Sequence, residues 1–257
     1  METKHRQLFR VRSYETDQQG RLQAPILCRL LQEAATAHAA ELGVAVETLM
    51  DDGLAWVLSR MKLFIRRWPR AEDEVVVETW PAAANRLFTE RRFEVTDSTG
   101  AIMGTAATLW FVLDLELRRP VRLPATVVEA LQRLALGNLP MRPEELGAPD
   151  PGGTGIGFTV RRSDLDVAGH VNNTSYVEWV VEAVPDAIWE GNDLAELEIA
   201  YLSECHHGQT VVSLSQVTGN GGGCEIRHQL VRREDGVTVA QARTMWRAPN
   251  WGPGPRA

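Results

Sequence analysis

The spacing of apolar residues changes along the chain and marks its elements. Apolar side chains recur three and four positions apart in PILCRLLQEAATAHAAEL at 25–42, the spacing of one helix face. Pro25 suits the first turn of that helix, and Gly43 suits its end. Short segments rich in β-branched and aromatic residues follow, separated by turn formers such as DSTG: MKLFIRRW, EVVVETW, RLFTERRFEVTD and TAATLWFVLDLE. The first half therefore predicts one helix followed by antiparallel strands.

The second half repeats this order after a break. A short helix is predicted over 125–136, and the Pro- and Gly-rich run at 138–156 reads as a linker between a domain at 1–137 and one at 157–257. A strand near GIGFTVRR, a turn and a helix from about Val171 come next. Four strands then follow, with GNGGG as a hairpin turn: LEIAYLSE, TVVSLSQV, CEIRHQLVRR and VTVAQARTMW.

The repetition is supported by direct alignment of the two halves. A shift of 149 positions superimposes identical residues at the same strand–turn–helix position: Arg12 on Arg161, Asp17 on Asp166, Gly20 on Gly169, Glu33 on Glu182 and Ala34 on Ala183. We therefore predict an α+β chain with two copies of a helix wrapped by an antiparallel sheet.

The second helix is predicted to be mostly buried. Only Glu178 and Glu182 interrupt an apolar surround made of two stripes, Val177, Val180, Val181, Val184 and Ile188 on one and Tyr176, Trp179, Ala183 and Ala187 on the other. Pro185 is expected to kink or end it. A helix buried by a curled sheet is the arrangement of a hot-dog fold.

Composition narrows the class of protein. The chain has 257 residues, 44% of them hydrophobic, which is enough for sizeable cores. It has no run of eighteen apolar residues, so no membrane insertion is expected. The formal net charge of −7 argues against nucleic-acid binding. The scattered Cys28, Cys205 and Cys224 do not form a disulfide framework, and the start of the chain lacks a secretory pattern, so a cytoplasmic location is expected.

One short stretch carries the chemistry. The segment SDLDVAGHVNNTSYVEWVVEAVP resembles the signature of acyl-acyl-carrier-protein (acyl-ACP) thioesterases, and LSECHHG resembles the Glu-Cys segment of that family. In the first half, YETDQQG, LLQEAATAHA, WVLSRMKLFIRRWP and DEVVVETW resemble its N-terminal half. The resemblance, to the bacterial type, implies a double (tandem) hot-dog fold. It also implies hydrolysis of the thioester of fatty acyl-ACP, with no cofactor and no metal.

Carried over residue by residue, the resemblance implies Asp166, His170 and Glu204 as catalytic residues. Asp166 and His170 are four positions apart across a glycine-containing turn, and Glu204 is expected on the following strand. The backbone N–H groups of 170–172 are candidate oxyanion donors at the helix start. The sequence leaves open which carboxylate is the base and whether one attacks directly.

One position departs from the family pattern. Ala168 stands where the family usually has asparagine, and loss of one oxyanion donor costs about 10²–10³ in rate. Three outcomes are open: backbone amides suffice, Asn172 or Asn173 substitutes, or activity is low or altered. Because Asp166, His170 and Glu204 all remain, an active enzyme is favoured.

Each of these residues also has a purely structural interpretation. Asp164 is best explained as a cap, and Asp166 has that alternative; Asn172 and Asn173 are also consistent with turn residues. Cys205 has at most a supporting role, since neighbours on a strand face opposite sides. A zinc site is disfavoured because no paired CxxC or HExxH spacing is present among Cys205, His206, His207, Cys224 and His228.

The implied partner is acyl carrier protein, which is acidic like this chain, so docking needs a local basic patch. Three arginine groups are candidates: Arg66, Arg67 and Arg70; Arg91 and Arg92; and Arg118, Arg119 and Arg122. The first copy has Arg21 in place of His170, so it is expected to have lost the chemistry and kept the shape. The resemblance implies that this half houses the acyl chain. Candidate lining residues, for each of which ordinary core is the stronger interpretation, are Leu27, Leu31, Trp56, Met61 and Leu63.

Two other functions stay open, as does the oligomeric state. An acyl-CoA thioesterase differs only in the carrier, and an acyl-binding hot-dog protein with weakened catalysis would explain Ala168. Two copies in one chain already supply the pair that single hot dogs form, so both a monomer and a homodimer are compatible with the sequence.

Overall fold

The computed structural model describes residues 4–132, 145–150, 154–219 and 223–249. The chain divides into two compact units. The first contains the described residues up to Glu145 except 64–67, and the second contains 64–67 and the described residues from Leu146 onward. Each unit is described by itself.

The first unit is one long helix on an antiparallel sheet. Helix α1 (Ala24–Glu41) has Pro25 in its first turn and ends before Gly43, whose φ of +70° is a left-handed conformation that favours glycine. It packs against β1 and β3 in a sheet of order β1–β3–β4–β5–β2, with β6 paired to β5. The bounds are β1 (His5–Arg10), α2 (Val46–Asp51), β2 (Leu54–Ile65), β3 (Glu74–Ala84), β4 (Phe88–Asp97), β5 (Ile102–Asp114), β6 (Arg119–Val121) and α3 (Ala125–Gln132).

Most of the residues proposed to line the acyl-chain pocket lie in the hydrophobic core of this unit. Leu27, Leu31, Met61 and Leu63 are all buried. Trp56 is half-buried and packs against a smaller apolar cluster, where its indole N–H donates to the Val44 carbonyl at 3.0 Å. Full burial of an aliphatic side chain is worth about 1.5–3 kcal/mol, which accounts for these residues as core.

The second unit repeats the plan with a shorter helix. Helix α4 (Asn173–Glu182) packs against β9 and β10, and seven of its ten residues are buried, which confirms the predicted burial. The strand order is β8–β11–β10–β9–β7. The bounds are β7 (Thr154–Thr159), α5 (Asp186–Gly191), β8 (Asp193–Tyr201), β9 (Thr210–Gly219), β10 (Cys224–Arg232) and β11 (Thr238–Arg247).

Several predicted boundaries differ from the structure. The predicted apolar stripe of the second helix runs too far, because α4 stops at Glu182. The expected break near Pro185 is confirmed, since Pro185 is the N-cap of the separate helix α5. Most of the predicted linker, the end of the 125–136 helix and the centre of GNGGG lie outside the described residues. Within the described residues, no helix is both long enough and apolar enough to cross a membrane.

The repeat offset of 149 is confirmed by hydrogen bonds. Short 3-10 helices lie at Ser13–Glu15 and Arg162–Asp164, and the isolated bridges Thr16–Leu22 and Leu165–Val171 close the same turn in each unit. The helices α1 and α4 begin at equivalent positions. Local hydrogen bonding therefore reproduces one strand–turn–helix unit twice.

Strands β5 and β11 carry a second repeat, at an offset of 136, which was not predicted from the sequence. Trp110 donates its indole N–H to Thr108 at 2.8 Å, and Trp246 donates to Thr244 at 2.9 Å. The signal was present as TLW in one half and TMW in the other. The difference between the two offsets means that the chain between turn and sheet differs in length.

A buried histidine lies in the sheet of the second unit. His228 on β10 is 0% exposed, and its Nε2 lies 2.9 Å from Thr244 Oγ1. Its Nδ1 has no hydrogen-bond partner among the described residues. Burial lowers the pKa of His228 from 6.5 to about 3, so the ring stays neutral in the folded protein at moderately acidic pH.

We expect His228 to make folding acid-sensitive. Between about pH 6.5 and about pH 3, this histidine is protonated in the unfolded chain but neutral in the folded chain. The free energy of unfolding therefore falls by about 1.4 kcal/mol for each unit by which the pH is lowered. At pH 5 the loss is about 2 kcal/mol. Urea unfolding at pH 7 and pH 5 measures it, and His228→Phe is the control, since Phe93 holds the related register position on β4. An equal loss in both proteins would contradict the assignment.

Candidate functional site

The turn that precedes α4 is held together by the Asp166 carboxylate. Its Oδ1 accepts the backbone N–H of Ala168 at 2.9 Å and of His170 at 3.2 Å. The Asp166 N–H in turn donates to the His170 carbonyl at 2.8 Å. Gly169 has φ of +78°, which an L side chain rarely adopts. Asp166 is therefore a structural anchor of the turn, whatever chemistry it also performs.

The first unit contains the same turn with a different residue at its end. Asp17 Oδ1 accepts the N–H of Gln19 at 2.9 Å and of Arg21 at 3.0 Å. The buried Arg21 donates its Nε to Asp17 Oδ2 at 2.9 Å, so both carboxylate oxygens are engaged there. The first copy keeps the turn but has an ion pair where the second copy has a histidine.

The second unit brings His170 and Glu204 together. His170 Nε2 lies 3.5 Å from Glu204 Oε2, and both side chains are partly exposed. His206 is a third member: its Nε2 lies 3.8 Å from Glu204 Oε1, and its ring meets that of His170 edge-on with centroids 5.1 Å apart. From the sequence, His206 was considered only in a disfavoured zinc set with Cys205, His207, Cys224 and His228, so its position beside His170 was not predicted.

The expectation that Glu204 lies on a strand is wrong. Strand β8 ends at Tyr201 and β9 begins at Thr210, so Glu204 is on the connection between them. Because Glu204 and Cys205 lie outside a strand, strand alternation does not place their side chains on opposite sides. The two side chains nevertheless differ in exposure, because Cys205 is 0% exposed and Glu204 is partly exposed.

The connection that carries Glu204 is tied down on both sides. The Cys205 carbonyl accepts the Val171 N–H at 3.0 Å, and the Glu204 carbonyl accepts Arg232 Nη1 at 2.7 Å. The His206 N–H donates to Gln209 Oε1 at 2.8 Å. These bonds fix the backbone under Glu204 and His206, so their side chains start from set positions.

An equivalent backbone hydrogen bond in the first unit identifies the residues that correspond to Glu204 and His206. The Leu22 N–H donates to the Pro69 carbonyl at 2.7 Å, as Val171 does to Cys205. Trp68 and Arg70 therefore stand where the second unit has Glu204 and His206. Trp68 is buried, and no carboxylate faces this turn from that position.

Asp166 is not paired with the ring of His170. In the part of the chain that the structure describes, no ion pair joins the Asp166 carboxylate to His170, and Asp166 Oδ2 has no hydrogen-bond partner. Asp166 contacts the backbone of His170, whereas Glu204 lies beside its ring. The three predicted catalytic residues thus divide into a His–Glu pair and a separate carboxylate.

The predicted oxyanion donors are engaged within the protein. The N–H groups of His170, Val171 and Asn172 already donate to Asp166 Oδ1, the Cys205 carbonyl and the Asp164 carbonyl. A donor that is already bonded is not available to a substrate oxygen. Among the described residues, the N–H of Asn173, the first residue of α4, has no hydrogen-bond partner and is the donor left at this helix start.

Two polar residues of this segment are caps, Asn172 for α4 and Asp164 for the short 3-10 helix Arg162–Asp164. Asn172 is the N-cap of α4, and its Oδ1 accepts the N–H of Thr174 at 2.9 Å and its hydroxyl at 2.8 Å. Asp164 is buried and accepts the backbone N–H of Arg161 at 2.7 Å, as the sequence indicated. The carbonyl of Asn173 accepts the Tyr201 hydroxyl at 3.2 Å, which fixes the start of the helix.

Cys205 is not poised as a nucleophile. Burial raises the pKa of its thiol, despite a hydrogen bond with the Tyr176 hydroxyl, so the thiol stays protonated at neutral pH. The Tyr176 hydroxyl also contacts the Ser203 carbonyl at 3.4 Å. Cys205 supports the site through its backbone carbonyl and its packing.

One of the three arginine groups is not a docking surface. Arg91 is buried, with its Nη1 3.0 Å from His38 Nδ1 and 3.2 Å from Thr79 Oγ1, and burial lowers its pKa to about 10. Its neighbour Arg92 is exposed but donates to Glu90 at 2.7 Å. Arg66, Arg118, Arg119 and Arg122 are exposed.

Comparison with known proteins identifies both halves. Residues 2–131 match the model of the acyl-ACP thioesterase N-terminal domain, and residues 152–248 match that of its C-terminal domain. A palmitoyl-acyl carrier protein thioesterase of Cuphea hookeriana is 30% identical over 95% of this chain. A dodecanoyl-[acyl-carrier-protein] hydrolase of Cinnamomum camphora is 30% identical over 94%. The chain spans 62% and 67% of the lengths of these two relatives.

Solved structures agree with the fold. The 12:0-ACP thioesterase of Umbellularia californica is 29% identical and superimposes with a TM-score of 0.85 over 96% of this chain and 95% of its own. An acyl-ACP thioesterase of Bacteroides thetaiotaomicron has a TM-score of 0.84 over 95% and 98%, and at 24% identity it supports the fold alone. The predicted α+β double hot-dog fold is confirmed.

Proposed function

Because the chain belongs to the acyl-ACP thioesterase family, we propose that it hydrolyses fatty acyl-ACP, releases the free fatty acid and so ends chain elongation. The observation that supports this most is the pairing of His170 with Glu204 beside the turn anchored by Asp166. The first unit has the same turn with neither the histidine nor the glutamate. The chemistry is therefore assigned to the second unit.

The division of the three side chains suggests separate tasks. Asp166, through Oδ2, accepts a proton from the water that attacks the thioester carbon. His170, with its positive charge stabilised by Glu204, donates a proton to the departing thiolate when the tetrahedral intermediate collapses. The 3.5 Å separation of His170 and Glu204 is longer than a typical hydrogen bond, as is common before substrate binds.

The oxyanion needs a donor as the carbonyl becomes tetrahedral. The backbone N–H of Asn173 is the candidate, because it stands at the N-terminus of α4 and has no partner among the described residues. Ala168 supplies no side-chain donor. The enzyme is thus proposed to work with one donor fewer than the family pattern provides.

Ala168→Asn is expected to raise hydrolysis about tenfold, a part of the 10²–10³ that one oxyanion donor is worth. The turn tolerates a larger side chain here, since Gln19 occupies the related position and makes the same backbone bond to Asp17. Steady-state kcat on acyl-ACP measures the effect, with Ala168→Ser as a smaller polar control. An unchanged kcat would mean that the alanine is no handicap and that other donors suffice.

The carrier is tested by a matched comparison. Acyl-ACP and acyl-CoA of equal chain length are hydrolysed side by side, with an ACP ladder to establish chain length. We expect a higher kcat/KM on acyl-ACP, and equal or better turnover of acyl-CoA would overturn the carrier assignment. Charge-reversal variants at Arg118 and Arg119 are then compared with one at Arg66. The larger loss of kcat/KM on acyl-ACP identifies which of the two remaining arginine groups contacts the carrier.

A weakened acyl-binding protein is the second candidate, and Ala168 is the observation that favours it. That function predicts tight acyl binding with no more thioester cleavage than an Asp166→Ala variant shows. The presence of all three polar groups of the site favours the enzyme. We also propose a reducing, cytoplasmic setting in a bacterium, consistent with three free cysteines, two of which are buried.

A further inference from the structure

The His170–Glu204–His206 cluster has the composition of a metal site. One imidazole nitrogen of each histidine and one carboxylate oxygen of Glu204 all lie within 4.8 Å of one another. Two imidazoles and one carboxylate are a ligand set that Zn²⁺ takes in proteins. The ligands come from two segments that are distant in the sequence, which is why no contiguous spacing predicted them.

The spacing of these atoms is close to what zinc requires. Zinc–nitrogen and zinc–oxygen bonds of about 2.0–2.2 Å in a tetrahedron place neighbouring ligand atoms roughly 3.4 Å apart. His170 Nε2 lies 3.5 Å from Glu204 Oε2, and His206 Nε2 lies 3.8 Å from Oε1, the other oxygen of the same carboxylate. With one oxygen as the ligand, the separations in the set are at most 4.8 Å and shorten when the ion binds. His206 is half exposed, so its ring has solvent space in which to rotate.

The site is both anchored and accessible. His170 ends the turn held by Asp166, and the backbone beneath Glu204 and His206 is tied to Val171, Arg232 and Gln209. The side chains of His170, Glu204 and His206 are 39%, 35% and 50% exposed, so an ion reaches them without unfolding. Three protein ligands leave a fourth position for water.

We propose that His170, Glu204 and His206 bind one divalent transition-metal ion, Zn²⁺ in the first instance, and that the bound ion inhibits thioester hydrolysis. The inhibition rests on the proposed function. A His170 Nε2 lone pair that coordinates a metal cannot carry the proton that the departing thiolate needs, and a metal-bound Glu204 cannot stabilise a charged His170. Metal and turnover therefore compete for the same two side chains.

His206 distinguishes this metal site from the catalytic pair. It completes the ligand set but has no task in the proposed hydrolysis. The neighbouring His207 is exposed and lies outside the cluster, so it offers a matched control on the same connection. His206→Gln and His207→Gln both remove one imidazole, but only the first removes a ligand.

The binding test uses chelator-treated, metal-free protein titrated with ZnCl₂ by isothermal calorimetry. Wild type and His207→Gln are expected to bind one equivalent. His206→Gln should bind at least about tenfold more weakly, since even groups that only support a metal ligand are worth about 10–100-fold in affinity. No saturable binding to wild type, or equal binding by His206→Gln, would overturn the proposal.

The activity test uses acyl-ACP hydrolysis in zinc buffers, with each variant compared with itself in the absence of zinc. Zinc should inhibit wild type and His207→Gln over the range in which calorimetry shows binding, and His206→Gln should need at least about tenfold more zinc. Binding without inhibition, or stimulation by zinc, would contradict the inhibitory role. If the metal-free protein does not hydrolyse acyl-ACP but still binds zinc through His206, the proposed function fails and the metal site stands.

Discussion

Glu204→Gln is expected to lower kcat on acyl-ACP by about 10²–10⁴, the usual contribution of a general acid–base partner, and to leave KM nearly unchanged. Glutamine keeps the size of the side chain but removes the negative charge that lies 3.5 Å from His170. Without that charge, an imidazolium at position 170 loses its stabilising partner. The hydrogen bond from Arg232 Nη1 to the Glu204 carbonyl is retained, so the connection keeps its position.

A double variant tests whether the two residues act as a unit. His170→Gln alone should lose as much activity as Glu204→Gln, and the pair together should lose little more than either one, because coupled residues are strongly non-additive. Glu182→Gln, at the exposed end of α4, is the charge-matched control and should behave as wild type. A fully active Glu204→Gln, or losses that simply multiply, would contradict the proposed pair.

Asp166→Asn is expected to lose about 10²–10⁴ in kcat while the protein keeps its fold. The asparagine Oδ1 still accepts the N–H groups of Ala168 and His170, so the turn survives. Only the negative charge and the proton-accepting Oδ2 are removed. Asp166→Ala removes the turn's anchor as well, and should lose both activity and about 1 kcal/mol of stability, the usual value of a cap-like hydrogen bond.

The first unit supplies the control for this comparison. Asp17 makes the same two backbone bonds but lies beside Arg21, so Asp17→Asn should leave kcat near the wild-type value. Thermal unfolding and kcat are measured for all three variants. If Asp166→Asn is as active as wild type, Asp166 is an anchor of the turn and has no chemical role.

The sequence predicted the turn well because its bonds are local. Asp166, Gly169 and His170 interact within five positions, so a repeat of residue types was enough to locate it twice. The sequence did not reveal that the candidate oxyanion donors are already bonded, because the partners of Val171 and Asn172 are the carbonyls of Cys205 and Asp164, and such pairings depend on tertiary structure. The prediction that Glu204 lies on a strand was wrong for a related reason, since the end of a strand is set by the strands that pair with it.

Helix lengths show the same division. The start of α4 was predicted from the turn before it and its break from Pro185, but the apolar stripe alone gave no end, because it continues past Glu182 into α5. His206 was missed as a neighbour of His170 since nothing in a linear pattern brings residues 170 and 206 together. What the sequence did specify without tertiary information was the order of elements and the identity of the turn.

The same turn is present in both units, and the groups that fix its backbone are not the side chains that distinguish the two units. Its shape depends on one aspartate oxygen, two backbone amides and a left-handed glycine, all of which both copies keep. The side chains at its rim, Arg21 or His170 and Trp68 or Glu204, supply none of these groups, so the same backbone carries different side chains in the two units. The turn thus presents the proposed catalytic pair in one unit, and an ion pair beside a buried tryptophan in the other.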